Sequence, residues 1–117
     1  MKHKIITSLA LLINIHINNA VAADFNGIDG ADLKKICTSY VDIPANTSDG
    51  MCIGYVVGVM SIMEYINVLC RPVNSTHAQA TLVVQKHLFD HPERLHLNAE
   101  DLVLDALLDA FPCTEAN

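Results

Sequence analysis

A chain of 117 residues forms one domain at most. Seven Lys and Arg stand against thirteen Asp and Glu, a formal charge of −6. That acidic balance argues against nucleic acid and anionic membrane surfaces as partners and favours a basic protein.

Residues 1–22 read as a targeting segment. Lys2 and Lys4 give a positive start, residues 5–17 are mostly apolar, and Ala20-Val21-Ala22 fits the small-x-small cleavage rule. A signal peptide over 1–22, cleaved near Ala22, predicts an exported chain. What remains, 23–117, is a single domain of 95 residues in which five Lys or Arg (Lys34, Lys35, Arg71, Lys86, Arg94) meet all thirteen carboxylates, a formal charge of −8. Cys37, Cys52, Cys70 and Cys113 all lie in this part. An even cysteine count in a small exported domain reads as disulfide staples rather than catalytic or metal-binding thiols.

The periodicity predicts helices and no strand. Asp29 can cap a first helix over 30–40, in which Leu33, Ile36, Cys37 and Tyr40 share a face. Residues 41–50 carry Pro44, Asn46, Thr47, Ser48, Asp49 and Gly50 and read as a loop. The second helix is CIGYVVGVMSIMEYINVLC over 52–70, ended by Arg71-Pro72 because proline lacks a donor. Thr76 and Gln79 have capping-box spacing for a third helix running to Asp90, before His91-Pro92. Asn98 can cap a fourth, with Ala99, Leu102, Val103, Ala106, Leu107, Ala110 and Phe111 on one face and Pro112 as its stop. The fold class is therefore all-α, a small four- to five-helix bundle stapled by two disulfides.

Helix order restricts the cysteine pairing. Cys52 and Cys70, on one helix at about 1.5 Å per residue, would stand roughly 27 Å apart and cannot bond. If the second, third and fourth helices run up, down and up, the fourth ends beside the end of the second, which brings Cys113 to Cys70. Cys37 then meets Cys52 across the intervening loop.

The second helix raises the question of a membrane. A span needs about 20 apolar residues, and Ser61, Glu64 and Asn67 interrupt this one while a cysteine bounds each end. It reads instead as the central helix of the bundle, apolar nearly all round because neighbours cover it. Gly54, Gly58, Ser61 and Tyr65 form a narrow stripe on it, for an internal helix contact or a homodimer seam.

Chemical motifs are sparse. His87 and His91 have the i, i+4 spacing of helix-borne metal ligands, with Asp90, Glu93 and His96 nearby, but no Glu follows His87 and Pro92 breaks the helix beside the second ligand. Polar residues around a helix end are the plainer reading, and no metal is assigned. No Gly-x-Ser-x-Gly elbow, P-loop or dinucleotide fingerprint occurs, and a disulfide-bonded cysteine is no nucleophile. The reading is a non-enzymatic protein with no catalytic residues and no cofactor. Asp101, Asp105 and Asp109 form an acidic stripe beside Glu100, either a solvated face or a docking surface for a basic partner. Asn46-Thr47-Ser48 and Asn74-Ser75-Thr76 match the N-glycosylation acceptor.

Taken in order, Cys-x-Gly-Tyr-x-x-Gly at 52–58, Cys70-Arg71-Pro72, Gln79, Val83-Val84, His91-Pro92-Glu93-Arg94-Leu95-His96, Ala106-Leu107 and Phe111-Pro112-Cys113 resemble the Rap/Tai immunity proteins of type VI secretion systems. The resemblance implies a small helical periplasmic protein, often a homodimer, that takes part in interbacterial competition. Such a protein protects a bacterium from peptidoglycan amidase effectors injected by its kin. Inhibition is by binding: the protein plugs the cleft of a papain-like Cys-His amidase. Its candidate contacts here are the loop residues Asn74, Ser75, Thr76 and His77, with Asp90, Glu93, Arg94 and His96 between the third and fourth helices. Other readings of the residues stay open: a periplasmic acid-stress chaperone, a bitopic membrane protein, or a metal carrier built on His87 and His91.

Overall fold

The computed structural model describes residues 27–40 and 47–114. Four α-helices follow one another: α1 Gly30–Cys37, α2 Thr47–Tyr65, α3 His77–Asp90 and α4 Ala99–Ala110, with a 3-10 turn at Pro92–Arg94. Among the described residues there is no strand, only isolated bridges that pair Asp29 with Asn98 and Leu69 with Pro112. The signal peptide expected over 1–22 and the first part of the expected 41–50 loop lie outside the described residues. The disulfides are Cys37–Cys52 and Cys70–Cys113, with Cα atoms 5.1 and 4.8 Å apart, as helix order required.

Asp29 caps α1: its carboxylate accepts from the Asp32 backbone N–H at 2.9 Å. Leu33 and Cys37 are buried on the predicted face, and Tyr40 is buried too although α1 has ended at Cys37. The end comes early because the Cys37 and Tyr40 carbonyls both accept from the Gln85 side-chain amide, at 2.6 and 3.2 Å, so α3 takes up acceptors a longer helix would have used.

The second helix differs from expectation at both ends. It begins at Thr47, inside the stretch read as a loop, and stops at Tyr65, before Arg71-Pro72. The stop is a Schellman turn: Asn67 takes a left-handed φ of 60°, Val68 N–H donates to Met63 C=O at 3.0 Å and Asn67 N–H to Glu64 C=O at 3.1 Å. Asparagine tolerates that conformation, and the chain leaves the helix in time to bring Cys70 to Cys113. Nor do neighbours cover α2 all round. Cys52, Val56, Met60 and Met63 face the core, while Gly54, Gly58, Ser61 and Tyr65 are exposed. The three other helices, of 8, 14 and 12 residues, offer too little chain to wrap a 19-residue helix.

The third helix carries its capping box as predicted, Gln79 N–H to Thr76 Oγ1 at 3.1 Å and Thr76 N–H to Gln79 Oε1 at 2.8 Å. The cap of α4 does not form as expected. Asn98 stands at the N-cap position without a side-chain cap bond; Ala99 N–H donates instead to Ile28 C=O at 3.0 Å. The exchange is mutual, since Gly30 N–H donates to Leu97 C=O at 2.9 Å and Ala31 N–H to Leu95 C=O at 3.0 Å. Two helix starts thus satisfy each other's orphan donors through backbone groups. Leu102, Val103, Ala106 and Leu107 of α4 close the core against Ala80, Val84 and Leu88 of α3, and each helix touches the other three.

This close approach depends on Gly30. A Cβ there would lie 2.3 Å from Leu102 Cδ1 and 3.1 Å from Leu95 Cα and O, whereas at Gly27 the nearest atom is 3.9 Å away. Gly30→Ala is expected to cost about 1–3 kcal/mol by overpacking, read as a lower urea midpoint at unchanged slope. Gly27→Ala, as a control, should stay within about 0.5 kcal/mol of the parent.

Candidate functional site

Past the Schellman turn, the chain crosses to the end of α4. Leu69 bridges Pro112, Cys70 N–H donates to Phe111 C=O at 3.1 Å, and the Cys70–Cys113 bond closes the crossing. Arg71 comes next, with its side chain 11% exposed. Its Nε donates to Glu64 Oε1 at 2.6 Å, and the same guanidinium reaches Ser75 Oγ at 3.0 Å and Ser75 C=O at 3.2 Å. A charge-assisted fork of this kind is stronger than a neutral contact. Ser75 N–H and Oγ–H both donate to Pro72 C=O, at 2.9 and 2.8 Å, which closes a β-turn over 72–75. The capping box of α3 then begins at Thr76.

The sequence-predicted contacts of this loop therefore divide. Ser75 and Thr76 are engaged in holding the loop, whereas Asn74 and His77 are exposed and make no hydrogen bond through their side chains among the described residues. Val73 was not singled out by sequence reasoning, yet it is the most exposed hydrophobic residue here, at 105% of its reference area. Glu64, the lone charge within 52–70, followed seven residues later by Arg71, was the available signal for this clamp.

The other expected contacts lie at the opposite end of α3, whose 14 residues span about 20 Å. Asp90 pairs with Lys86 and Arg94 with Asp105. Glu93 and His96 are exposed. The two groups of candidates do not form one surface.

Beside this second corner lies an open depression of about 520 Å³ lined by His87, His91, Arg94, Asp105, Leu108 and Asp109. The His87 and His91 rings lie with centroids 4.2 Å apart, and His87 Nε2 is buried without a hydrogen-bond partner among the described residues. Burial, then the neighbouring His91 and Arg94 side chains, hold His87 below its ordinary pKa of 6.5 against the opposing pull of Asp105 and Asp109. No group of three or more His, Cys, Asp or Glu among the described residues is placed to hold a metal ion. Every described cysteine is in a disulfide. Elsewhere, Tyr55 donates to Glu100 at 3.3 Å, and burial followed by that carboxylate pushes its phenol up to about 12, so it remains a neutral donor joining α2 to α4. No helix among the described residues is long and apolar enough to cross a membrane.

A profile of the Rap1a immunity proteins matches residues 29–113, from the N-cap of α1 to the last bridged cysteine. The chain belongs to the Rap1a immunity protein family. No curated protein matches it. Membership in the Rap1a family makes the chain an immunity protein whose partner is an effector protein. In this Rap1a protein the loop over 70–76 is held at both ends and presents its middle to solvent.

The His87 environment carries a sign in pH. In the unfolded chain the imidazole titrates at its ordinary value, while in the fold it titrates lower, so below about 6.5 the unfolded state binds more protons and stability falls. Asp90, held below 3.8 first by the Lys86 hydrogen bond, contributes its own loss only at still lower pH, as the pH falls through its folded value. Urea unfolding should show stability dropping from pH 7.5 to pH 5, with a smaller drop in His87→Gln.

Proposed function

We propose that this immunity protein acts in the periplasm, after removal of its signal peptide, by binding a cognate type VI secreted peptidoglycan amidase and occluding its active-site cleft. The observation that carries the reading is the family match across the whole stapled bundle, both disulfides included. Two disulfides suit an oxidising compartment. The protein itself performs no chemistry: its role is a rigid, presented surface, which limits the ordering cost of association. The acidic charge of the mature chain, −8, would steer it toward a basic effector.

Inhibition is tested with the mature chain, purified sacculi and its cognate peptidoglycan amidase. We expect near-stoichiometric loss of stem-peptide cleavage. Full cleavage at tenfold excess of the immunity protein would overturn the reading.

The outward side of α2 supports a homodimer. Met51, Ile62 and Tyr65 are 55%, 64% and 86% exposed, and a Cβ built at Gly54 or Gly58 meets nothing within 4 Å. This is an uncharged strip on an otherwise acidic protein, along which two copies can approach without repulsion. Mid-helix glycines cost about 0.5–1 kcal/mol each against alanine, so Gly54→Ala with Gly58→Ala should stabilise an isolated protomer. If the strip is the seam, the same pair weakens self-association in sedimentation velocity. A dimer undisturbed by the double substitution would place the seam elsewhere.

A further inference from the structure

The two disulfides differ in what surrounds them. Cys37 and Cys52 are fully buried, in the same core cluster as Leu33, Tyr40 and Val56. Cys70 and Cys113 are both exposed, each beside other exposed chain: Pro72, Val73 and Asn74 lie just past the first, and Pro112 and Thr114 flank the second. Thiol exchange requires an incoming thiolate to reach a sulfur, so access separates labile bonds from inert ones. We propose that Cys70–Cys113 is a thiol-exchange site that takes a dithiol of the Cys-x-x-Cys kind, whereas Cys37–Cys52 is closed to it.

One thiolate of the dithiol attacks a sulfur of the Cys70–Cys113 bond. A mixed disulfide forms, the protein's S–S bond breaks, and its electron pair leaves on the other cysteine as a thiolate, which takes up a proton. The second thiol of the dithiol then closes on the first, releases the remaining cysteine and gives up its own proton to it. The dithiol loses two electrons and the protein gains two, so no further oxidant or reductant is needed. The bond joins segments outside the helices, one after α2 and one after α4. Opening it leaves the Leu69–Pro112 bridge and the Cys70 N–H bond to Phe111 C=O to hold the crossing. The packed core of Leu33, Val56, Val84, Leu102 and Leu107 does not include either cysteine, and Cys37–Cys52 still staples α1 to α2. Exchange therefore releases the start of the 70–76 loop and weakens the bundle without dissolving it.

The test uses the mature chain with both bonds formed, treated with dithiothreitol as a small dithiol and, separately, with reduced thioredoxin as a protein one. Samples quenched over time with excess N-ethylmaleimide are mapped by peptide mass. We expect a species labelled at Cys70 and Cys113 alone to accumulate, with Cys37 and Cys52 at least about tenfold slower because they wait for the bundle to open. That species should keep its far-UV helical signal and melt below the parent. In about 6 M urea, where burial is lost, the two bonds should open at similar rates. Labelling of all four cysteines together in the folded chain, labelling of Cys37 and Cys52 first, or a selectivity unchanged in urea would overturn the assignment. Reaction with dithiothreitol alone assigns the site to small dithiols, and reaction with both extends it to protein dithiols.

Discussion

The Cys70–Cys113 bond ties the segment that follows α2 to the segment that follows α4, and the rest of the structure is arranged around that tie. Its partner, Cys37–Cys52, does the same for the end of α1 and the start of α2, so the longest helix is stapled near each end. Sequence separations of 15 and 43 correspond, in the chain-entropy account, to about 3 and 4 kcal/mol removed from the unfolded state's advantage. Small domains are stable by only about 5–15 kcal/mol in all. A bundle whose central helix packs along one side alone depends on these two bonds for much of its margin.

The same tie has a local consequence. A loop that begins at a disulfide, passes the largely buried side chain of Arg71 and ends in a capping box has little freedom left, and its apex faces solvent. A loop held in this way before contact would spare a binding partner the cost of ordering it. At the other end of the bundle Arg94 pairs with Asp105, Lys86 pairs with Asp90 and the Leu95 and Leu97 carbonyls hold the start of α1, while Glu93 and His96 stay exposed. Of the acidic stripe on α4, Asp101 and Asp109 make no ion pair among the described residues and add to the negative field of the chain.

The strongest local clues proved readable without coordinates. Asp29 and the Thr76–Gln79 box act at once on neighbouring backbone donors, so their spacing alone implies their bonds. Helical periodicity marked Leu33, Ile36, Cys37 and Tyr40 on the first face and Ala99, Leu102, Val103, Ala106, Leu107, Ala110 and Phe111 on the last; all are buried except Ile36 and Phe111, which are partly so, and Ala110, which is exposed at the final position of α4. The early stop of α2 came from the local turn at Asn67, and other misreadings came where a distant group intervened. The end of α1 depends on Gln85, 48 residues from Cys37, and the start of α4 takes a carbonyl from Ile28 in place of its own Asn98 side chain. The uniform apolarity of α2 also concealed which side is covered, since a helix hydrophobic all round has no preferred face in its sequence.

Sequence alone determined the helical class, the cysteine pairing and the family, because each follows from short-range spacing or from an ordered set of motifs. Only the tertiary structure decided that the glycine stripe faces outward, that the two groups of candidate contact residues lie at opposite ends of α3, and that Val73 stands at the tip of a clamped turn. Those outcomes depend on which helix faces and chain ends come together, and on Arg71 reaching across to Glu64 and Ser75, none of which a one-dimensional pattern contains.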